Sequence, residues 1–452
     1  MSDWHELLGM DEACECGHTH TVPTREVIAE SGALGRVEEV VRRHVTGRKG
    51  ALIADETTWE VAGRTVADSL TGFSLKPTIL KPEKPGHSLK ADDWSERELA
   101  EQLPGDCDFL VCVGSGTLND LAKMASTARK IPEICVGTAA SMNGYPSAIS
   151  AMSRAGIKCT EPCIPPVAIV CDTEILAKAP AEMAQAGLGD LLSKATSSTD
   201  WLMGHLLRDE YYCEKPVAVV EEAERLCREQ AAALGRSEPQ AVETLMIGLI
   251  QSGISMAMAG ASSPASGGEH LISHYLDMTH EGWGWESDLH GRQVAVATLM
   301  TGRLYEFVRE RTLGGVDVEA ARARAIDPEQ ARQGSLAHFE PLLGAKVAEE
   351  VAQIMLTKAK PQDDGPSVVE RLAADPQGFW QEVGRLMRPT ESTEHAYLLA
   401  GVPTKPADLG LSPEHARGAF LYGRHIRNRY TILDLASELG LLEEAADLLC
   451  PV

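Results

Sequence analysis

Positive charge is what this sequence has least of. Its 42 Lys and Arg face 66 Asp and Glu, a formal net charge of -24. Nucleic acid and anionic membranes both need a positive surface, so neither is expected as a partner. A small anionic substrate stays open, because a few basic groups in a pocket suffice. Long apolar runs are also missing. The most apolar stretch, residues 245–260, is interrupted by Gln251, Ser252, Gly253 and Ser255. It is too short and too polar to span a bilayer and reads as a buried helix. No basic segment followed by an apolar core opens the sequence, so no secretory signal is expected. The 11 cysteines are odd in number and scattered. That suits a reducing cytoplasm better than a secreted disulfide framework.

What remains is an ordinary globular composition, 44% hydrophobic and 24% charged, in 452 residues. That length is too great for one small core and predicts two domains. Residues 1–25 form an N-terminal extension holding Cys14, Cys16, His18 and His20. Cysteine and histidine together invite a metal, yet the spacing matches no common zinc pattern. An irregular N-terminal segment is the competing reading.

From residue 26 to 178, helices and apolar strands alternate. Residues 28–44 read as a helix. Residues 49–55 read as a strand ending on Asp55, with a helix to about residue 70. Residues 77–81, 108–113, 133–136 and 167–172 read as further strands. Continuous apolar strands alternating with helices predict a Rossmann-like α/β domain with a parallel sheet. From 179 to 452 the strand signal stops, and Gly and Pro separate a series of helical patterns. That predicts an all-helical C-terminal domain, with residues 358–367 as a surface loop. No internal repeat or low-complexity tract is present.

Two places carry chemistry. Gly114-Ser115-Gly116-Thr117 lies between an apolar strand and a helix. Glycine lets the backbone approach a ligand there, and free helix N–H groups favour a pyrophosphate. The sequence is neither the G-x-G-x-x-G fingerprint nor a Walker loop. Asp55, at an earlier strand end, can accept from a ribose hydroxyl, or it can simply cap a helix. The second place is residues 266–292. His270 and His274 stand four apart, on one face if this stretch is helical, and His290 follows. A catalytic divalent metal is usually held by three protein ligands with one position open. Asp190, in Gly187-Leu188-Gly189-Asp190, is the candidate carboxylate, with a helix cap as its alternative. His280 reads as a loop residue.

The ordered set Gly-Ser-Gly-Thr-Leu-Asn-Asp (114–120), Gly-Thr-Ala-Ala-Ser-Met (137–142), Gly-Leu-Gly-Asp (187–190), Ser-Gly-Gly-Glu-His-Leu-Ile-Ser-His (266–274) and Leu-His-Gly (289–291) resembles the sn-glycerol-1-phosphate dehydrogenases. These belong to the iron-containing alcohol dehydrogenase and dehydroquinate synthase-like superfamily. The resemblance covers about residues 34–299. It implies a dehydroquinate synthase-like fold. A nicotinamide cofactor would be contacted by Asp55, by Gly114, Ser115, Gly116, Thr117 and Leu118, by Thr138, Ala139, Ala140 and Ser141, and by Ser147. Asp55 favours NAD(H) over NADP(H). Asp190, His270 and His290 would bind one divalent metal, with nickel, zinc or iron as candidates. His274 would sit beside nicotinamide or substrate. The implied reaction is reversible reduction of dihydroxyacetone phosphate to sn-glycerol 1-phosphate.

In one respect the chain departs from the family pattern. The family usually carries Asp where this chain has Asn143, a position that contacts substrate. Asn keeps an acceptor and loses the charge. No phosphate-holding cluster is legible; Lys194 and Arg292 are candidates by adjacency alone. A homodimer is expected. The competing readings are another polyol or glycerol dehydrogenase on the same scaffold, a dehydroquinate synthase-like cyclase, and a non-enzymatic metal-binding interaction protein. The cyclase needs a cluster of basic side chains that is not visible in the sequence, and the interaction protein would bind no nucleotide.

Overall fold

The computed structural model describes residues 4–324, 327–359 and 365–451. Part of the expected 358–367 loop, residues 360–364, lies outside them. The chain divides into two compact units, one of residues 1–191 with 214–262, the other of 192–213 with 263–452.

The first unit opens with a small antiparallel hairpin, β1 (Asp11–Ala13) and β2 (Thr19–Thr21). Its centre is a six-stranded sheet in the order β3-β10-β7-β6-β4-β5. The strands are β3 (Glu26–Glu30), β4 (Lys49–Asp55), β5 (Ser74–Leu80), β6 (Phe109–Gly114), β7 (Glu133–Gly137) and β10 (Ala168–Asp172). Every pairing is parallel. Between β7 and β10 a second hairpin, β8 (Ile149–Arg154) and β9 (Ile157–Pro162), stands apart from the sheet.

The reason for the parallel sheet lies in the strands. Each residue of β6, β7 and β10 is buried, so no side faces water. Buried Leu, Val and Ile side chains contribute about 1.5–3 kcal/mol each. One apolar layer contains Val40, Leu52, Val111 and Val170, and the other Ile53, Leu99, Leu110 and Leu121. Pro77 pairs with Leu52 on β5, the edge strand, where proline's missing N–H is tolerated.

The expected helix over 28–44 begins later than its pattern implied. Glu26–Glu30 is an edge strand beside β10, Gly32 turns the chain at φ 77°, and the helix is Val37–His44. Val27 and Ile28 are adjacent buried residues, a pattern that serves a strand as well as a helix. Pro239–Ala259 is long and apolar enough to cross a membrane by composition alone, yet its apolar window is 83% buried within protein. It is the buried helix expected for residues 245–260.

The second unit is helical, with no strand among its described residues. Its longest helix is His290–Thr312, which packs with Gly268–Thr279.

Candidate active site

In the first unit the carboxyl ends of three neighbouring strands carry the predicted nucleotide residues. β4 ends on Asp55, β6 on Gly114 and β7 on Gly137. Gly114 pairs directly with Gly137, and Thr138 N–H donates to the Gly114 carbonyl at 3.1 Å. The two glycine turns therefore leave the sheet side by side. Ser115 and Ser141 join them further by a 2.7 Å hydroxyl contact. Helix Gly116–Arg129 begins here, and no side chain of its N-cap, Ser115, occupies its first N–H groups. Carboxyl ends of parallel strands beside a helix N-terminus fit a dinucleotide pyrophosphate.

Asp55 caps the following helix. Its Oδ1 accepts from Thr58 N–H at 2.7 Å, and Thr58 Oγ1 accepts from Asp55 N–H at 3.0 Å. One carboxylate oxygen is thus used locally. Ser147 is buried, its hydroxyl donating to the carbonyls of Gly144 and Ile149. Beside it lies Lys123, fully buried, which the sequence reading missed. Its ammonium donates to Gly144 O (2.9 Å), Ile149 O (2.7 Å) and Ser147 Oγ (3.2 Å), and pairs with Asp120. Lys123 therefore fastens the loop that follows Ser141 from beneath. Burial pushes the nearby Glu133 carboxyl up to about 8, against the pull of the Lys123 charge. An Asp and a Lys three apart just after the glycine turn were the only sequence signal for this group.

The same loop meets Asp190. This residue is 2% exposed, near the end of helix Ala181–Leu192. Asn143 donates to its carboxylate through both the backbone N–H (2.9 Å) and the side-chain amide (3.2 Å). The amide also lies 3.2 Å from Ser252 Oγ. Two glycines permit this packing. A Cβ on Gly187 would lie 2.0 Å from the Ala140 carbonyl oxygen, and one on Gly253 2.4 Å from that of Asn143.

In the second unit, His270 and His274 lie one turn apart on Gly268–Thr279, and His290 begins the next long helix. The ring centroids are 5.1 Å apart for His270 and His290, 5.6 Å for His274 and His290, and 6.4 Å for His270 and His274. All three predicted histidines are therefore together. Their hydrogen bonds fix which nitrogens carry protons. Glu269 Oε1 lies 2.8 Å from His270 Nδ1, so this nitrogen is the donor. Ser273 donates its one proton to Gln293 Oε1 at 2.9 Å, so it accepts from His290 Nδ1, also at 2.9 Å. Gln293 is oriented by its own amide, which donates to Asp277, Ser287 and the Asp288 carbonyl. Nε2 is therefore the unprotonated nitrogen of each ring, the form a metal ligand takes. The donor chemistry of this pair fits a divalent cation.

Arg427 Nη2 lies 3.4 Å from His274 Nδ1. A guanidinium only donates, so His274 Nδ1 accepts and the ring proton sits on Nε2. His274 thus carries its ring proton on Nε2, unlike its two neighbours. A further carboxylate, Asp200, braces the site. It accepts from Gly268 N–H (2.7 Å), Tyr305 OH (2.5 Å) and Ile432 N–H (2.8 Å). Burial, with the Glu269 charge beside it, pushes Asp200 up to about 8. Burial is the largest single influence on Glu269 and acts in the same direction, but the His270 hydrogen bond and charge, with the Gly267 and Glu269 N–H groups, together hold that carboxyl below its usual value.

Lys194 donates to the Ala265 carbonyl and Ser193, and Arg292 is paired with Asp288. Glu269, Asp200, Ser273, Gln293 and Arg427 were all missed by sequence reasoning. Only Glu269 carried a signal, as the residue preceding His270.

A family model for iron-containing alcohol dehydrogenase matches residues 28–180. The chain is 30% identical over 377 residues to the glycerol-1-phosphate dehydrogenase [NAD(P)+] of Geobacillus stearothermophilus, covering 82% of this chain and 91% of that one. It is 35% identical over 300 residues to the enzyme of the same name from Halalkalibacterium halodurans, covering 65% and 74%. Among solved structures it is similar in fold to a probable glycerol dehydrogenase from Sinorhizobium meliloti 1021. The TM-score there is 0.59 at 16% identity, with 94% of this chain and 98% of that one covered.

Proposed function

Because the chain belongs to the glycerol-1-phosphate dehydrogenases, iron-containing alcohol dehydrogenase relatives that are metal-dependent NAD(P)-linked oxidoreductases, we propose that it reduces dihydroxyacetone phosphate reversibly to sn-glycerol 1-phosphate and that Asp190, His270 and His290 hold its metal. The observation that supports the metal assignment is the paired commitment of Nδ1 in His270 and His290, which puts each ring proton on Nδ1 and leaves Nε2 unprotonated, the form that ligates a cation. Nickel, zinc and iron all accept such a nitrogen and carboxylate set. When bound, the cation polarises the ketone and the nicotinamide supplies the hydride.

The chain's own residues do the rest. Gly114 and Gly116 admit the backbone close to the pyrophosphate, and the first N–H groups of helix Gly116–Arg129 receive its charge. Thr138, Ala139, Ala140 and Ser141 line the neighbouring turn, and Ser147 holds that turn in place. Asp55 takes the ribose hydroxyls with the oxygen that its cap leaves over, which favours NAD(H) over NADP(H). The Nε2–H of His274 donates a hydrogen bond to the substrate oxygen that gains negative charge, and the proton which that oxygen takes up arrives through water or His274. Arg427 sets the tautomer of His274 and brings a basic side chain beside it for a phosphate. Asn143 contacts substrate and aligns Asp190. A homodimer in the cytoplasm completes the reading.

The test is metal content read together with turnover. His270→Ala and His290→Ala, purified with the wild type, are expected to lose the metal and the activity together. Either variant keeping full metal and full turnover removes that residue from the site.

A further inference from the structure

The N-terminal cluster was legible in sequence and matched no zinc pattern. The structure brings three of its members together. The Sγ atoms of Cys14 and Cys16 and a ring nitrogen of His20 all lie within 4.8 Å of one another. His18 is exposed and is not of the group. We propose that Cys14, Cys16 and His20 bind a second metal ion of the thiolate-preferring class, zinc foremost, and that this ion is structural.

The hairpin supplies the geometry. Cys14 directly follows β1, and His20 is the central residue of β2, paired with Glu12. The turn between them is closed by Cys14 N–H to His18 O (2.9 Å) and Gly17 N–H to Cys14 O (3.0 Å), with Gly17 at φ 86°. That left-handed turn folds Cys16 back so that its sulfur lies 3.6 Å from His20 Nε2.

The protonation state of His20 is the second argument. Its Nδ1 lies 2.6 Å from the Met258 carbonyl oxygen. A carbonyl only accepts, so Nδ1 carries the proton and Nε2 presents its lone pair towards Cys16. A backbone carbonyl on the far nitrogen is the usual outer partner of a metal-bound histidine.

Two thiolates and one imidazole, all from one short hairpin, are ligand types that a structural zinc takes.

There is also a physical need. β1 has no buried residue and β2 only His20. A two-stranded hairpin without an apolar face is marginal in water. A metal clip replaces the missing core, and binding releases the thiol protons to solvent.

Cobalt substitution of the full chain tests this, because sulfur-to-cobalt charge-transfer absorption in the near ultraviolet arises only from thiolate ligands. The site proposed above for turnover has none. His270→Ala loaded with Co2+ is expected to retain this band and one metal equivalent. Cys14→Ser/Cys16→Ser is expected to lose the band, and one metal equivalent relative to wild type, while retaining the other. If the double variant does not fold, the His270→Ala spectrum decides alone. No thiolate band in either wild type or His270→Ala overturns the proposal, and so does an unchanged metal count in a folded double variant. Loss of turnover in His270→Ala bears only on the other site.

Discussion

Asn143 donates twice to one carboxylate, that of Asp190, at 2.9 Å from its backbone and 3.2 Å from its side chain. An Asp at position 143 would set a second negative charge against the first. Asn instead supplies a neutral donor that fixes the rotamer of Asp190 within the first unit. Removing an outer partner of a metal ligand costs about 10–100-fold in affinity or activity. Asn143→Ala is therefore expected to weaken metal binding by about that factor, with the fold intact. Metal titration followed by residual turnover measures it; an unchanged affinity contradicts the alignment role.

Glu269 plays the corresponding part for His270. Glu269→Gln keeps the shape and an acceptor but loses the charge that the His270 Nδ1–H faces at 2.8 Å. The same range applies, about 10–100-fold in metal affinity, read by competition with a chelator. Wild-type affinity in this variant would show that the tautomer needs no carboxylate.

Asp55 has two tasks that separate experimentally. As N-cap it accepts from Thr58 N–H, and Asp55→Ala is expected to lower stability by about 1 kcal/mol. As ribose acceptor, its loss is expected to raise KM for NADH more than KM for NADPH. A stability change without a change in cofactor preference leaves the cap alone standing.

The sequence exposed part of this plan and hid part, for physical reasons. Continuous apolar runs such as Phe109–Gly114 and Ala168–Asp172 announced the parallel sheet because both their faces are buried. The four-residue spacing of His270 and His274 announced a shared helical face. β1 and β2 went unseen, since strands of three residues, largely exposed, carry no periodic signal. The bracing carboxylates were hidden for another reason. Asp200 meets Gly268, 68 residues away, and Ile432, 232 residues away, and nothing local marks it. Lys123 likewise reads as a helix-surface residue until the loop at Gly144 closes over it.

Two histidines of the second unit set a pH dependence of stability. Burial lowers both His338 and His415 from 6.5 to about 4. Tyr275 OH lies 2.8 Å from His338 Nε2, and His415 stacks on Trp283 at 5.0 Å, contacts suited to neutral rings. Below pH 6.5 the unfolded chain binds these protons and the folded chain does not. Stability is thus fully present above 6.5 and lost as pH falls towards 4. Allowing for solvent screening at the part-buried His338, the two together account for about 2 kcal/mol. Urea midpoints at pH 7 and pH 4.5 measure the loss, which His338→Gln is expected to reduce. A midpoint independent of pH, or one that rises on acidification, contradicts the assignment.

The most direct test of the central claim follows nicotinamide absorbance with the metal-loaded chain and two mirror-related substrates. Oxidation of sn-glycerol 1-phosphate by NAD, no turnover of sn-glycerol 3-phosphate, and loss of the signal after chelation with recovery on adding nickel, zinc or iron are the predicted results. Turnover of the 3-phosphate instead, of neither isomer, or of the 1-phosphate undiminished by chelation contradicts the account.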